Sequence, residues 1–271
     1  MTQSNPMQNK SAHLFAAAKM ATSVAVACSA ALLLVAGSAY AGPPFRTDDP
    51  EPVDKGHGEF YLLSTATRAS GGNSGLLPAI EMNYGPVEDV HLHVILPLSA
   101  FDKPSGEKTQ RGYGDTELGV KYRFVHEDDE GWRPMIGTFP IVVLPTGNKS
   151  KGLGGEHTQT FIPLWLQKSF GPWTTYGGAG YWINPGSGNK NYWFSGWLLQ
   201  RKINDSLTLG GEIFHETASD TVGGTSNTGY NLGGVYNFTE HDHFLFSAGK
   251  GIQHAADTNQ FSYYLAYQRT F

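Results

Sequence analysis

The run 112–125 carries ionisable side chains at alternate positions. Asp115, Glu117, Lys121 and Arg123 share one face, and Leu118, Val120, Tyr122 and Phe124 share the other. Four charges on one face of a single strand cannot enter hydrocarbon, and a dry core would leave them unpaired. They fit either the watered lumen of a barrel, where opposite signs can meet, or the solvent face of an ordinary antiparallel sheet. His91 and His93, two apart, oppose Val90, Leu92, Val94 and Leu96. Two imidazoles on one face can hold a metal if a third ligand joins them. No third ligand accompanies this pair, so two polar side chains facing a lumen are the simpler reading. Glu81 behaves alike: with Asn83 it opposes Leu76, Ile80, Met82 and Tyr84. On this reading Asp115, Glu117, Lys121, Arg123, His91, His93 and Glu81 line a channel.

Other chemistry is weaker. His215 and Ser219 are four apart across a strand-to-loop junction, a spacing that does not bring a base within hydrogen-bond reach of a nucleophile. Glu240-His241-Asp242-His243 and Glu127-Asp128-Asp129-Glu130 have the composition of ion sites, but each occupies a short turn where solvated charge is ordinary. Gly152-Leu153-Gly154-Gly155 lacks the G-K-[ST] of a phosphate loop and opens no helix. No nucleophile–base pair emerges, and nothing calls for a cofactor or a metal. The expectation is a protein that is not an enzyme.

The elements that must position these residues are strands. Beyond Lys55, runs of about ten residues rich in Tyr, Phe, Trp, Val, Leu and Thr alternate with Gly/Pro/Asn/Asp clusters, the pattern of strands and turns. The predicted strands are 58–68, 75–84, 89–100, 112–125, 133–144, 157–170, 173–184, 191–202, 206–216, 228–238, 243–252 and 260–271. Each approaches the 9–11 residues that a tilted strand needs to cross a bilayer, and their even number suits a single-chain bacterial barrel. The connections alternate between short ones, such as Gly171-Pro172 and Asn204-Asp205, and longer ones: Ala69–Ser74, Phe101–Arg111, Pro145–Glu156, Pro185–Lys190, Thr217–Asn227 and Gln253–Asn259. Tight periplasmic turns and longer external loops produce that alternation. In 228–238, Tyr230, Leu232, Tyr236 and Phe238 oppose Asn231, Gly233 and Asn237; strands 133–144, 173–184 and 243–252 do not resolve into faces.

Residues 1–41 read as a cleaved signal peptide. Lys10 and Lys19 precede an apolar stretch from Ala21 to Ala36, and Ala39-Tyr40-Ala41 gives an A-x-A cleavage pattern before Gly42. The single cysteine, Cys28, lies inside that stretch without the flanks of a lipidation site, which leaves no thiol chemistry after cleavage. Two of the 19 basic residues and none of the 24 acidic ones fall in 1–41, so the remaining 230 residues carry −7 against −5 for the whole chain. That sign argues against nucleic acid. No later stretch approaches 18 apolar residues, so a membrane-embedded form must be a barrel. The expected domains are the signal peptide 1–41, a lead segment 42–56 that is periplasmic or enters the lumen, and an all-β, closed antiparallel outer-membrane β-barrel of about 12 strands over 57–271.

At the end of the chain, Phe271, Arg269, Tyr267, Leu265, Tyr263 and Phe261 share one face. Phe271, with Tyr267, Leu265 and Tyr263, resembles the terminal signal read by the outer-membrane barrel-assembly machinery. The opening Gly42-Pro43-Pro44-Phe45-Arg46-Thr47-Asp48-Asp49-Pro50-Glu51-Pro52-Val53, with Glu59-Phe60-Tyr61, Gly112-Tyr113-Gly114-Asp115 and the terminal Phe271, resembles a family of outer-membrane proteins assigned to transport in the meta-cleavage pathway of phenol degradation. The resemblance implies a small barrel in the lipid of the bacterial outer membrane that passes a small-molecule solute, aromatic or otherwise hydrophobic. A structural or surface-interaction barrel with a lumen closed by paired charges is the alternative, ahead of a barrel enzyme.

Overall fold

The computed structural model describes residues 44–128, 131–221 and 224–271. The expected signal peptide lies outside them. Twelve strands form one closed antiparallel barrel: β1 (Gly58–Ala69), β2 (Gly72–Val87), β3 (Val90–Leu96 continuing as Ala100–Pro104), β4 (Gln110–Gly112 continuing as Thr116–Val125), β5 (Met135–Thr138 continuing as Ile141–Leu144), β6 (Gln159–Phe170), β7 (Trp173–Ile183), β8 (Tyr192–Asn204), β9 (Leu207–Glu216), β10 (Asn227–Asn237), β11 (Asp242–Gln253) and β12 (Phe261–Thr270). Each pairs with its sequence neighbours, and β12 closes on β1 from Glu59 opposite Thr270 to Arg68 opposite Phe261. The ring of strands closes on itself, as a bilayer requires, and at the rim the piece Gln110–Gly112 pairs on one side alone, with residues 100–102.

Three strands are interrupted, and proline accounts for two of the breaks. In β5 the break is Phe139-Pro140, opposite Pro163 of β6. A proline there has no amide for the ladder, so the pairing skips it. In β3 it is Pro97-Leu98-Ser99, where Leu77 donates to the Ser99 carbonyl and Ser99 to that of Pro78. The chain extends beyond two of the expected boundaries. The expected loop Phe101–Arg111 shrinks to Ser105–Thr109 because β3 and β4 continue as paired strands, and Ala69–Ser74 shrinks to the two residues Ser70-Gly71. A short 3₁₀ turn (Lys149–Lys151) and a one-turn helix, α1 (Ala255–Thr258), sit in the external loops.

Alternation sorts the faces. On β4, Leu118, Val120, Tyr122 and Phe124 are 43–47% exposed, whereas Lys121 between them is 2% exposed. The same contrast runs round the barrel, with Leu62, Met82, Leu92, Ile162, Trp197, Ile213, Leu232 and Leu265 outside and Tyr61, His91, Trp165, Tyr176, Leu198, Phe214 and Gln268 inside. A large apolar belt outside and a mixed interior is the arrangement of a transmembrane barrel, the reverse of a soluble one.

Candidate functional site

The lumen is occupied by the chain's own N-terminal segment. Residues 44–56 climb from the periplasmic end, where the Gly56 amide donates to the Gly85 carbonyl (2.7 Å), towards the external half. Pro44, Pro50 and Pro52 suit a segment enclosed in this way, because they carry no amide that would need a partner. The Asp49 and Glu51 amides donate to the segment's own Asp48 and Asp49 carboxylates (2.8 and 2.7 Å), and other polar backbone is met from the walls. The Arg46 and Thr47 amides both donate to the Glu212 carboxylate of β9 (2.8 and 2.7 Å), which also accepts from Asn231 of β10 (2.6 Å). Ser247 of β11 donates to the Pro44 carbonyl. Gln167 of β6 donates to Glu51 (3.0 Å), and the Val53 amide donates to His91 Nδ1 (3.1 Å), so the His91 proton resides on Nε2. Phe45 packs with Tyr176 and Leu198.

Charge fixes the segment further. Lys121 pairs with Asp48 (3.0 Å) and Asp49 (3.2 Å), and Arg46 with Glu216 (2.5 Å). Burial pushes the Asp49 carboxyl up to about 7; Lys121 opposes the rise, and the neighbouring Asp48 and Glu51 add to it. Burial likewise raises Glu51, against the hydrogen bond from Gln167.

Of the residues expected to line a channel, five are brought together. Glu81, His91, His93, Glu117 and Lys121 surround a cavity of about 130 Å³ beside the segment. His93 bridges Asn83 (2.7 Å) and Glu117 (3.1 Å). The other two lie apart. Asp115 accepts from the Gly147 and Gly155 amides (2.8 and 2.6 Å) and tethers an external loop. Arg123 pairs with Asp89 in a periplasmic turn (2.8 Å). Hydrogen bonds from Arg123 and His126 outweigh burial there and hold the Asp89 carboxyl below its ordinary value.

Above the segment the lumen opens into an external vestibule of about 730 Å³. Thr65, Ser74, Asn231, Ser262 and Tyr264 are among its walls, and Pro44, Phe45 and Arg46 form its floor. One wall of the lumen is aromatic. Tyr192 stacks near Trp182 (5.8 Å between centroids) and Trp182 on Phe161 (4.8 Å); Phe161 meets Phe194 edge-on (6.3 Å), and Phe194 lies parallel to Phe214 (6.4 Å). Phe139 and Trp165 join the same cluster. The Arg46 guanidinium caps the row, 4.5 Å from the Phe214 centroid. Glycine makes room for it: a Cβ on Gly180 would strike the Phe161 ring.

Sequence reading missed this wall, along with Glu212 and Glu216. The alternation of Glu212, Phe214 and Glu216 against Ile213 was a usable signal. Over residues 161–166 of β6 and 176–183 of β7 both faces are apolar or glycine, so hydrophobicity alone could not tell inside from outside there. Among the described residues no group of three metal ligands forms, and His215 bonds Thr228 (2.8 Å).

The model of the family described as "Putative MetA-pathway of phenol degradation" matches residues 68–268. The chain belongs to that family. No curated protein sequence matches it. Among solved structures, the COG4313 outer membrane channel from Pseudomonas putida F1 is similar, with 17% identity, 85% of this chain and 99% of that one covered, and a TM-score of 0.63. The translocator domain of the autotransporter NalP from Neisseria meningitidis matches with 14% identity over 79% of this chain and 87% of that one, at a TM-score of 0.49. The family member described here thus has the fold of a bacterial outer-membrane barrel and resides in that membrane.

Proposed function

We propose that this barrel is a narrow outer-membrane channel for small aromatic or otherwise hydrophobic molecules, closed at rest by its own residues 44–56. The observation that carries the reading is the aromatic row from Tyr192 at the external end of β8 to Phe214, where it meets Arg46 of the closing segment. Aromatic contacts are worth about 0.5–1.5 kcal/mol each beyond burial. A ring can therefore pass from one such contact to the next without a deep trap. A 12-strand barrel lies between side-chain-filled eight-strand barrels and open porins, which suits a path one ring wide. Glu81, His91, His93, Glu117 and Lys121 then serve chiefly to seat and release the segment, with Asp115 and Arg123 at the two ends of the route.

A closed structural barrel is the second reading, favoured by how fully segment 44–56 fills the lumen below the vestibule. Catalysis has no support from geometry, since His215 is engaged with Thr228. In either reading β12 is the strand offered to the assembly machinery, with Leu265 and Tyr267 exposed beside Phe271 and Tyr263 half-buried, its hydroxyl against Ser64 (3.2 Å).

Planar-bilayer conductance and uptake of phenol by proteoliposomes separate the two. The intact protein should open briefly, and a variant lacking residues 44–53 should conduct continuously. Phe161→Ala with Phe194→Ala should slow phenol entry several-fold while leaving ion conductance near normal. No conductance and no uptake in the truncated form would reject the channel and leave the structural barrel.

A further inference from the structure

The lipid-facing surface near the external rim carries cations with no protein counterion. Register places them together. Arg68 of β1 lies opposite Asn73 of β2, and Asn73 lies opposite Lys103 of β3. On the other side Arg68 faces Phe261 of β12, and Lys250 of β11 follows Gly249, the partner of Ser262. Arg111 of β4 pairs with Phe101, two residues from Lys103, and its guanidinium lies 5.6 Å from the Phe101 ring centre. The face is outward: Phe261 is 50% exposed at the start of a series that continues with the exposed Leu265 and Tyr267, whereas Ser74, one residue from Asn73, lines the vestibule. With strands about 4.8 Å apart, Lys250 to Lys103 spans about 19 Å of barrel wall.

All four cations are exposed, and among the described residues none makes an ion pair. At the periplasmic end two outward cations have carboxylate partners, Arg269 with Asp242 and Lys202 with Asp205, while Arg201 stacks over Trp173 as Arg111 does over Phe101. In the opposite external sector the strand ends of β7 and β8 present Tyr181, Ile183 and Trp193, and the nearest cation, Lys190, lies in the loop between them. On the outward faces of the strands, four cations without an ion pair thus share one sector at one depth, whereas other exposed cations without one, such as Lys55, Lys151 and Lys190, lie outside the strands. A cation at that depth draws on the headgroups of the surrounding lipid, and guanidinium forks fit phosphate oxygens in two-pronged fashion.

We propose that Arg68, Lys103, Arg111 and Lys250 form a binding site for the phosphate groups of lipid A, the glycolipid of the outer leaflet. Phe101 and Phe261, interleaved with the cations, pack against the upper acyl chains. The site holds a particular lipid on one side of the barrel and is independent of whether the lumen conducts.

The test uses the full-length barrel in mild-detergent micelles incubated with lipid A, with bound lipid counted by native mass spectrometry. The wild type should retain bisphosphorylated lipid A at least tenfold better than its enzymatically dephosphorylated form. The variant Arg68→Gln/Lys103→Gln/Arg111→Gln/Lys250→Gln should lose that preference, whereas Arg201→Gln/Lys202→Gln should keep it. Folding is checked by heat-modifiable migration; should the fourfold variant fail it, the pairs Arg68→Gln/Lys250→Gln and Lys103→Gln/Arg111→Gln are read instead. Equal retention of the two lipids by wild type, or a preference surviving the rim substitutions, would overturn the site. Inorganic phosphate displacing the lipid at micromolar concentration would also overturn it, by showing a free-anion site instead.

Discussion

Lys121 is the residue whose environment differs most from its appearance in the sequence. The period of two predicted that it points inward, and it does. What the period could not supply is the partner, because Asp48 and Asp49 lie more than 70 residues earlier in a segment with no strand pattern. Removing one member of a buried ion pair leaves the other charge unmet, typically at a cost of about 3–5 kcal/mol. Lys121→Met should therefore favour the released segment about 100-fold or more, read as open probability in single-channel records, with heat-modifiable migration unchanged. The acidic side gives a pH dependence with a definite sign. In the seated segment the Asp49 carboxyl titrates near 7, and in the released segment near its ordinary 3.8. Between those values the seated form holds more protons, so acid tightens seating and a rise through pH 7 loosens it. Open probability should increase from pH 5 to pH 8 in wild type and become flatter in Asp49→Asn. A wild-type record independent of pH would show that burial of Asp49 is not coupled to gating.

At the scale of elements, strand placement was largely legible, since all twelve predicted runs overlap a strand of the barrel. The ends were less so. Pairing between neighbours extended β3, β4 and the β1–β2 hairpin into residues whose Gly, Ser and Lys content reads as loop. The aromatic wall was hidden for a different reason: where glycine faces the lumen, as at Gly178 and Gly180, the ring that fills the space comes from the neighbouring strand. Gly196 works similarly for the lumen segment. A Cβ there would sit 2.0 Å from Thr47 Oγ1, with no backbone atom nearer. Gly196→Val should thus displace residues 44–48 while leaving the β7–β8–β9 ladder intact. The expected result is faster cleavage at Arg46 by added trypsin at unchanged barrel yield; protection equal to wild type would show that Thr47 simply moves aside.

For the molecule as a whole, closure rests on the seam between β1 and β12. Beyond their ladder, the Gly58 amide donates to the Phe271 carbonyl (2.8 Å), and the Phe271 amide donates to Gly58 (3.0 Å). Phe271→Asp should lower the amount of inserted barrel without changing export, measured as heat-modifiable protein in the membrane fraction against total processed chain. The seam also bears on the order of assembly. Residues 44–53 contact β3, β4, β6, β9 and β11, so Ser247 is 203 positions from the carbonyl it binds and Glu212 is 165 from the Thr47 amide. Contacts of such sequence separation carry a large loop-closure cost and form late. Residues 44–53, which precede every strand in sequence, are therefore expected to be the last to find their place, after the final hairpin has joined the first. On the proposed channel reading a freshly inserted barrel is until then an unstoppered one, and seating of residues 44–53 marks the moment at which the new molecule stops being a leak.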